Sequence, residues 1–277
     1  MIPRRKIDEL IVRHQYEPTL QDIYVEGLFD KEVLTSFISS VGTDHVVYDI
    51  DGIDIGPDIL AKHGLTDGNK QRVIALAKEL SVITEDSQYR CIVDKDLDHW
   101  IETVEQVPRL NWTEHTSIEL YFYTKKILTD IVVVSGRAKI SDIDEFMNSL
   151  ALVLKTLYAL RIVDRELAWN MEWVEPFKDL STQGSGLTIN IGTYLNRLLS
   201  KNRRHQDQAE FVKLLDVWLA RLTGDPRSYI RGHDFVSVLA WSTKEFKGIK
   251  EVGDSVIIER MLVLISRSVE ELAHLMR

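Results

Sequence analysis

The sequence predicts an α/β fold, a mostly parallel sheet flanked by helices, followed by a largely α-helical C-terminal region. Three observations predict it. Ile23-Tyr24-Val25 is a β-prone run that stops at Glu26-Gly27, and from Leu28 the apolar residues recur at helical spacing. Strand-prone and helix-periodic segments then alternate as far as Val93 in the order β-α-β-α-β; parallel strands need crossover connections, which helices supply. From about residue 131 the periodicity is almost wholly helical. The division expected is therefore a first domain over 1–130 and a helical domain over 131–277.

Taken in order, residues 4–14 put Ile7, Leu10 and Ile11 on one face, which predicts a short amphipathic helix before the first long strand. The helix from Leu28 should bury Val33, Leu34, Phe37 and Ile38 and stop at Gly42. His45 to Ile50 reads as a second strand. The segment from Asp49 to Asp58, with Asp51, Gly52, Asp54, Gly56 and Pro57, breaks regular structure and should loop at the sheet edge, adding carboxylates near Glu26. Val73, Ile74, Ala77 and Leu80 predict a helix over 69–85, and Arg90 to Val93 a third strand. Irregular chain is expected from Asp98 to Pro108, then a helix over 116–130 with Glu119 near its start.

Ile131 to Val134 reads as one more short strand. Beyond it, Ser141 to Asp144 has a capping-box pattern ahead of a stripe formed by Phe146, Met147, Leu150, Leu154 and Leu157. Phe211, Leu215, Trp218 and Leu222 form another stripe, closed by Gly224 and Pro226. Helices are expected at 233–247 and 255–276, and Ser181 to Gly186 is the most linker-like stretch. Trp169, Trp173, Trp218 and Trp241 sit in apolar helical contexts suited to a core or a dimer interface.

A chain of 277 residues with 44% hydrophobic content can bury a substantial core. No uninterrupted apolar run approaches the ~18 residues of a membrane span, and Met1-Ile2-Pro3 leads into a charged segment instead of a signal-peptide apolar stretch. A cytoplasmic location without a membrane is the expectation. Cys91 is the single cysteine, so there is no internal disulfide, and no Cys/His spacing resembles a zinc site; a metal should be held by oxygen. The net charge of −9 argues against broad non-specific nucleic-acid binding and leaves room for a local basic patch.

The chemistry-bearing residues lie at strand ends. In an open α/β sheet, ligands bind beyond the carboxyl ends of the strands, which is where Glu26 should sit. Alternate residues of an extended segment point the same way, so Asp94 and Asp96, with Asp98 next, could present carboxylates to one side. Converging carboxylates raise one another's pKa, a cost that a divalent cation removes. Oxygen-only ligation suits Mg²⁺ or Mn²⁺, ions that polarise phosphodiesters and activate water. The plainer reading is that these acids are loop residues or helix caps.

Glu26-Gly27 closing one strand, Asp30 shortly after, and Asp94-Lys95-Asp96 closing a later strand resemble the Toprim domain. Topoisomerases, bacterial primases and overcoming-lysogenization-defect nucleases share that fold. The fuller runs Tyr24 to Asp30, Ile92 to Asp98 and Ser117-Ile118-Glu119 are most similar to one compact branch of stand-alone Toprim proteins. These are encoded beside an ABC-type ATPase and act as effectors of PARIS anti-phage defence. The likeness covers about residues 22–120. It implies a toxic, Mg²⁺-dependent (or Mn²⁺-dependent) nuclease held inactive by its ATPase partner, with host RNA, notably tRNA, as substrate; since one protomer contacts little RNA, a homodimer is the expected working form. Catalytic and metal-ligating roles carry over to Glu26, Asp94 and Asp96. Glu119 carries over as a further ligand, although a helix-start glutamate also serves the dipole. Asp30 and Asp98 stand behind them. A non-cleaving Toprim module that binds the ATPase or nucleic acid is the alternative, as is a DNA nuclease.

Three further places could meet a phosphate. Lys70 precedes a helix without forming a Walker A loop, so ATP hydrolysis in this chain is not expected. Arg197, Lys201, Arg203, Arg204 and His205 are the densest basic cluster, either a solvated helix end or an RNA-backbone contact. His233 follows Gly232 at a helix start, where capping by Asp234 is the simpler account.

Overall fold

The structure, a computed structural model, describes residues 4–83, 86–102 and 104–276. The reading of Met1-Ile2-Pro3 and the far end of the helix expected over 69–85 lie outside the described residues. The chain divides into two compact units: Met1–Lys95 with Thr103–Tyr121 and Leu262–Arg277 form the first, and Asp96–Glu102 with Phe122–Met261 the second. The units are thus not contiguous in sequence, as a single boundary at residue 130 would make them. Apolar periodicity reports which residues are buried and not which unit buries them, so it carried no sign of the C-terminal return.

The first unit begins with β1 (Arg5–Lys6), α1 (Ile7–Tyr16), β2 (Asp22–Val25), α2 (Leu28–Val41) and β3 (Val46–Asp49). It continues with β4 (Ile53–Asp54), α3 (Pro57–Lys62), α4 (Asn69–Leu80) and β5 (Arg90–Val93). The short α5 (Asp98–Ile101) belongs to the second unit, and β6 (Leu110–Trp112) returns to the first. Strands β3-β2-β5-β6 form one sheet, and every pairing in it is parallel. β2 is buried at all four positions, Asp22 included. Since successive side chains point to opposite faces, the sheet is covered on both sides there. α2 packs on β3 and α4 on β5, and α2 buries Val33, Leu34, Phe37 and Ile38 and ends at Gly42, left-handed with φ 70°. Among the elements not anticipated are β4, which pairs with β1 inside the stretch read as loop, and β6, inside a stretch with only a short apolar signal.

His14 of α1 is fully buried, with Nε2 3.1 Å from the Tyr24 hydroxyl and 3.6 Å from Asp22 and with Nδ1 lacking a hydrogen-bond partner. Burial pushes its pKa down to about 4, and the Arg13 and Arg109 charges act in the same direction. An unfolded chain takes up this proton near pH 6.5 and the folded chain near pH 4, so stability falls as pH drops through that window. Asp22 works oppositely, its pKa raised by burial against Arg13 and Arg5. Urea unfolding should therefore give a stability lower by about 2 kcal/mol at pH 5 than at pH 7. His14→Gln should flatten that difference; an unchanged pH slope would refute the account.

The helical series expected over 116–130, which passes from the first unit into the second at Phe122, is broken. A 3₁₀ turn spans Ile118–Phe122, α6 spans Lys125–Leu128, and a π-helical segment covers Thr129–Ser135 where a strand was expected. Val132 and Ile131 are buried there, which accounts for the apolar run without any sheet. α7 (Ile143–Leu167) follows, capped by Asp142, whose side chain accepts from the Asp144 and Glu145 amides. By length and composition it could cross a membrane, with a mean hydropathy of 1.4 over an 18-residue window, but 61% of that window is buried inside the protein. It packs against β8 and α9, defined next, as the core helix of its unit.

The linker-like stretch is in fact an antiparallel hairpin, β7 (Leu180–Gln183) and β8 (Gly186–Ile189), turning at Gly184 with φ +60°. Polar residues between glycines suit a tight turn as well as a linker. α8 (Ile191–Lys201), α9 (Gln208–Arg221), α10 (Gly232–Glu245) and α11 (Ser255–Ile265) complete the series. The helix expected over 255–276 breaks after Ile265 into 3₁₀ turns at Ser266–Ser268 and Glu270–Met276. This last stretch rejoins the first unit: Ser40 Oγ donates to the Arg267 carbonyl at 3.1 Å and Arg267 Nε to Ser36 Oγ at 3.2 Å.

Candidate metal centre

β2 and β5 are neighbours and parallel, so their carboxyl ends lie at the same sheet edge. That register makes Glu26 and Asp94 neighbours although 68 residues separate them: Glu26 Oε1 accepts the Asp94 amide at 2.8 Å. Asp30 comes in from the first turn of α2, where its Oδ2 accepts the Gly27 amide at 3.0 Å. Together with Val25, Ile92, Thr113 and Ile118 these three acids line a cavity of about 10 Å³, room for one small ion or water.

The walls of this cavity are tied down from several directions. Asn69 Nδ2 donates to the Glu26 carbonyl at 2.9 Å, and Asn69 is held in turn by Arg72, whose guanidinium also bonds Asp51 and the Ile50 and Ile53 carbonyls. On the other side the Thr113 amide donates to Val93 O at 2.9 Å, and Thr113 Oγ1 accepts the Lys95 amide at 3.2 Å. Lys95 Nζ bonds the Glu114 carbonyl at 2.8 Å, and burial lowers its pKa against the opposing Glu114 charge.

Not every expected residue is at this cavity. Glu119 is buried in the 3₁₀ turn after Ile118, and only Ile118 lines the cavity. Asp96 and Asp98 belong to the second unit. Alternation along an extended strand end does not apply to them, because β5 stops at Val93 and Asp96 adopts a left-handed φ of 45°, its carbonyl accepting from the Tyr158 hydroxyl at 2.5 Å. The loop acids are engaged elsewhere: Asp49 pairs with Lys31 at 2.8 Å, which holds its pKa down against burial, and Asp51 with Arg72.

Lys70, in the first turn of α4, lies 5.8 Å from the centre of the Trp112 ring. The basic cluster is interlaced with acids: Arg197 pairs with Asp179, Lys201 with Glu172 and Arg204 with Asp207, while Arg204 also stacks over Trp169. Arg203 takes φ 57° at the end of α8. His233 sits in the first turn of α10, but Asp234 does not cap that helix; it receives two hydrogen bonds from Arg161, at 2.8 and 2.9 Å.

One cluster escaped the sequence. Glu114, His115 and Glu271 place ligand atoms within 4.8 Å of one another, a mixed nitrogen and oxygen group that could hold an ion. Their separation of 156 residues left no spacing to find; the adjacent Glu-His pair was the sole signal. No model of a known protein family matches the chain and no curated protein matches it, so the likeness to Toprim proteins rests on Glu26, Gly27, Asp30, Asp94 and Asp96 themselves.

Proposed function

We propose that this protein is a Toprim-type, metal-dependent nuclease that acts as the toxic effector of an anti-phage defence system and cleaves host RNA, in particular tRNA. The observation that carries the reading is the convergence of Glu26, Asp30 and Asp94 on one ion-sized cavity at the carboxyl edge of a parallel sheet. Hard carboxylate oxygens around so small a space fit Mg²⁺ or Mn²⁺, with Glu26, Asp30 and Asp94 as the residues that would hold it. Such an ion would supply Lewis-acid stabilisation at a phosphodiester and a more acidic water. The chain's own part is to position it: the Asp94 amide orients Glu26, and the Asn69 side chain fixes the end of β2. Asp96 enters the ligand set through the resemblance alone, as do Asp98 and Glu119.

The further context also follows the resemblance to AriB effectors: an AriA-like ABC-type ATPase that holds the nuclease inactive, a released homodimer, and a cytoplasmic location. Substrate contacts by Lys70, Arg203, Arg204 and His233 belong to the same proposal. One observation favours the rival, a non-cleaving module: Glu26 already has structural work in accepting the Asp94 amide.

The test is brief expression of the chain, wild type beside Glu26→Ala, followed by inspection of total RNA and plasmid DNA. Discrete tRNA fragments with wild type only are expected. Nicked DNA with intact RNA would move the substrate to DNA, and intact nucleic acids even with the ATPase and phage infection supplied would sink the nuclease reading.

A further inference from the structure

We propose that Glu114, His115 and Glu271 form a second metal site, for a zinc-class divalent transition ion, that clasps the C-terminal segment onto the end of β6. Two ligand atoms bound at about 2.0–2.1 Å in a tetrahedron lie roughly 3.3 Å apart. His115 Nε2 and Glu271 Oε1 are 3.0 Å apart, and His274 Nδ1 and Glu114 Oε2 are 3.6 Å apart. The edge from His115 to Glu271 is therefore close to ligand spacing before any ion is added, and His274 stands beside the trio through its pairing with Glu114. The remaining distances, up to 4.8 Å among the Glu114, His115 and Glu271 atoms, close through rotation of Glu114, which is exposed, and Glu271, which is half-buried.

The donor set selects the ion. Imidazole nitrogen with carboxylate oxygen suits zinc and its neighbours and offers little to Mg²⁺, which prefers oxygen and retains its waters. The surroundings meet the further requirements of such a site, an oriented imidazole and a path of entry. His115 is buried with its ring 4.7 Å from that of Tyr121, and the Tyr121 hydroxyl accepts the Glu114 amide at 3.0 Å. Thr113 Oγ1 donates to the His115 carbonyl at 2.8 Å, fixing the backbone on its other side. Glu114 and His274 open onto a cavity of about 320 Å³, which gives an ion access. Glu271 and His274 lie on the 3₁₀ turn Glu270–Met276, so one ion would join residues about 156 positions apart. None of its candidate ligands is Glu26 or Asp94, so zinc binding is read separately from cleavage.

The experiment uses the full chain carrying Glu26→Ala, which removes toxicity as a complication. The protein is stripped with chelator and titrated with Zn²⁺ in a large excess of Mg²⁺, and bound zinc is counted by atomic absorption while the melting temperature is followed. One zinc per chain and a rise in melting temperature are expected. Glu271→Gln and His115→Gln should each weaken binding at least tenfold and abolish the rise. Glu271→Gln keeps shape and hydrogen bonding at a half-exposed position, so it reports even if the buried histidine variant misfolds. No bound zinc, or zinc bound equally by the Glu271→Gln protein, would overturn the proposal.

Discussion

On the proposed nuclease reading, Glu26→Gln should lower metal-dependent cleavage about a thousandfold, close to 4 kcal/mol of transition-state stabilisation, while leaving the melting temperature within a degree or two of wild type. Glutamine keeps the Oε1 atom that accepts the Asp94 amide at 2.8 Å and removes only the charge. The substitution thus separates the two uses of this side chain. Glu26→Ala removes both, leaving a part-buried amide without its acceptor and costing about 1–3 kcal/mol of stability. If Glu26→Gln cleaves as wild type does, Glu26 is a structural acceptor and the metal belongs elsewhere. If it is inactive but folded, charge at the end of β2 is what the chemistry requires. Single-turnover cleavage at saturating Mg²⁺, beside thermal melts of all three proteins, gives the answer.

The second large effect is on stability. Arg72 is nearly buried and its guanidinium makes four hydrogen bonds: to Asp51 at 2.7 Å, Asn69 at 3.0 Å, Ile50 O at 2.9 Å and Ile53 O at 3.1 Å. Arg72→Met fits much of the volume but supplies no donors, so the Ile50 and Ile53 carbonyls each lose a donor, Ile50 O keeping the Ile53 amide, and Asn69 loses its anchor. Leaving such groups unsatisfied costs about 3–5 kcal/mol in total. For a chain of this size the melting temperature should drop by roughly 6–15 °C. Because Asn69 holds the Glu26 carbonyl at 2.9 Å, the surviving folded protein should also bind Mg²⁺ more weakly. A melting temperature unchanged by Arg72→Met would show that the network bears no load.

What could be read from the sequence was local. β2, α2 and β5 were recognisable because each combines a clean period with a definite stop: Glu26-Gly27, Gly42 and Asp94. That was enough to bring Glu26, Asp30 and Asp94 to one edge of a parallel sheet. The loss of Asp96 from the cavity wall was not readable, since it follows from a backbone turn at φ 45° that aspartate tolerates and no pattern announces. Arg72 looked like an ordinary helix-start cation, and its role emerges only when two carbonyls of a loop 19 and 22 residues earlier arrive beside it. Short edge elements such as β4 carry two residues of signal, too few for periodicity to register. The pairing of His115 with Glu271 is purely tertiary.

The return of residues 262–276 to the first unit has a consequence for biosynthesis. α2 meets its partner around Arg267 across 227 residues of intervening chain. At about 5–20 residues per second a ribosome needs roughly 10–45 s to make that stretch. From the synthesis of Asp94 onward the nascent chain carries Glu26 and Asp94 while Ser36 and Ser40 still lack the segment they will bind. The unit that holds the acidic cavity is completed only once residues 262–276 have been made, and a ribosome stalled before residue 262 holds it unfinished.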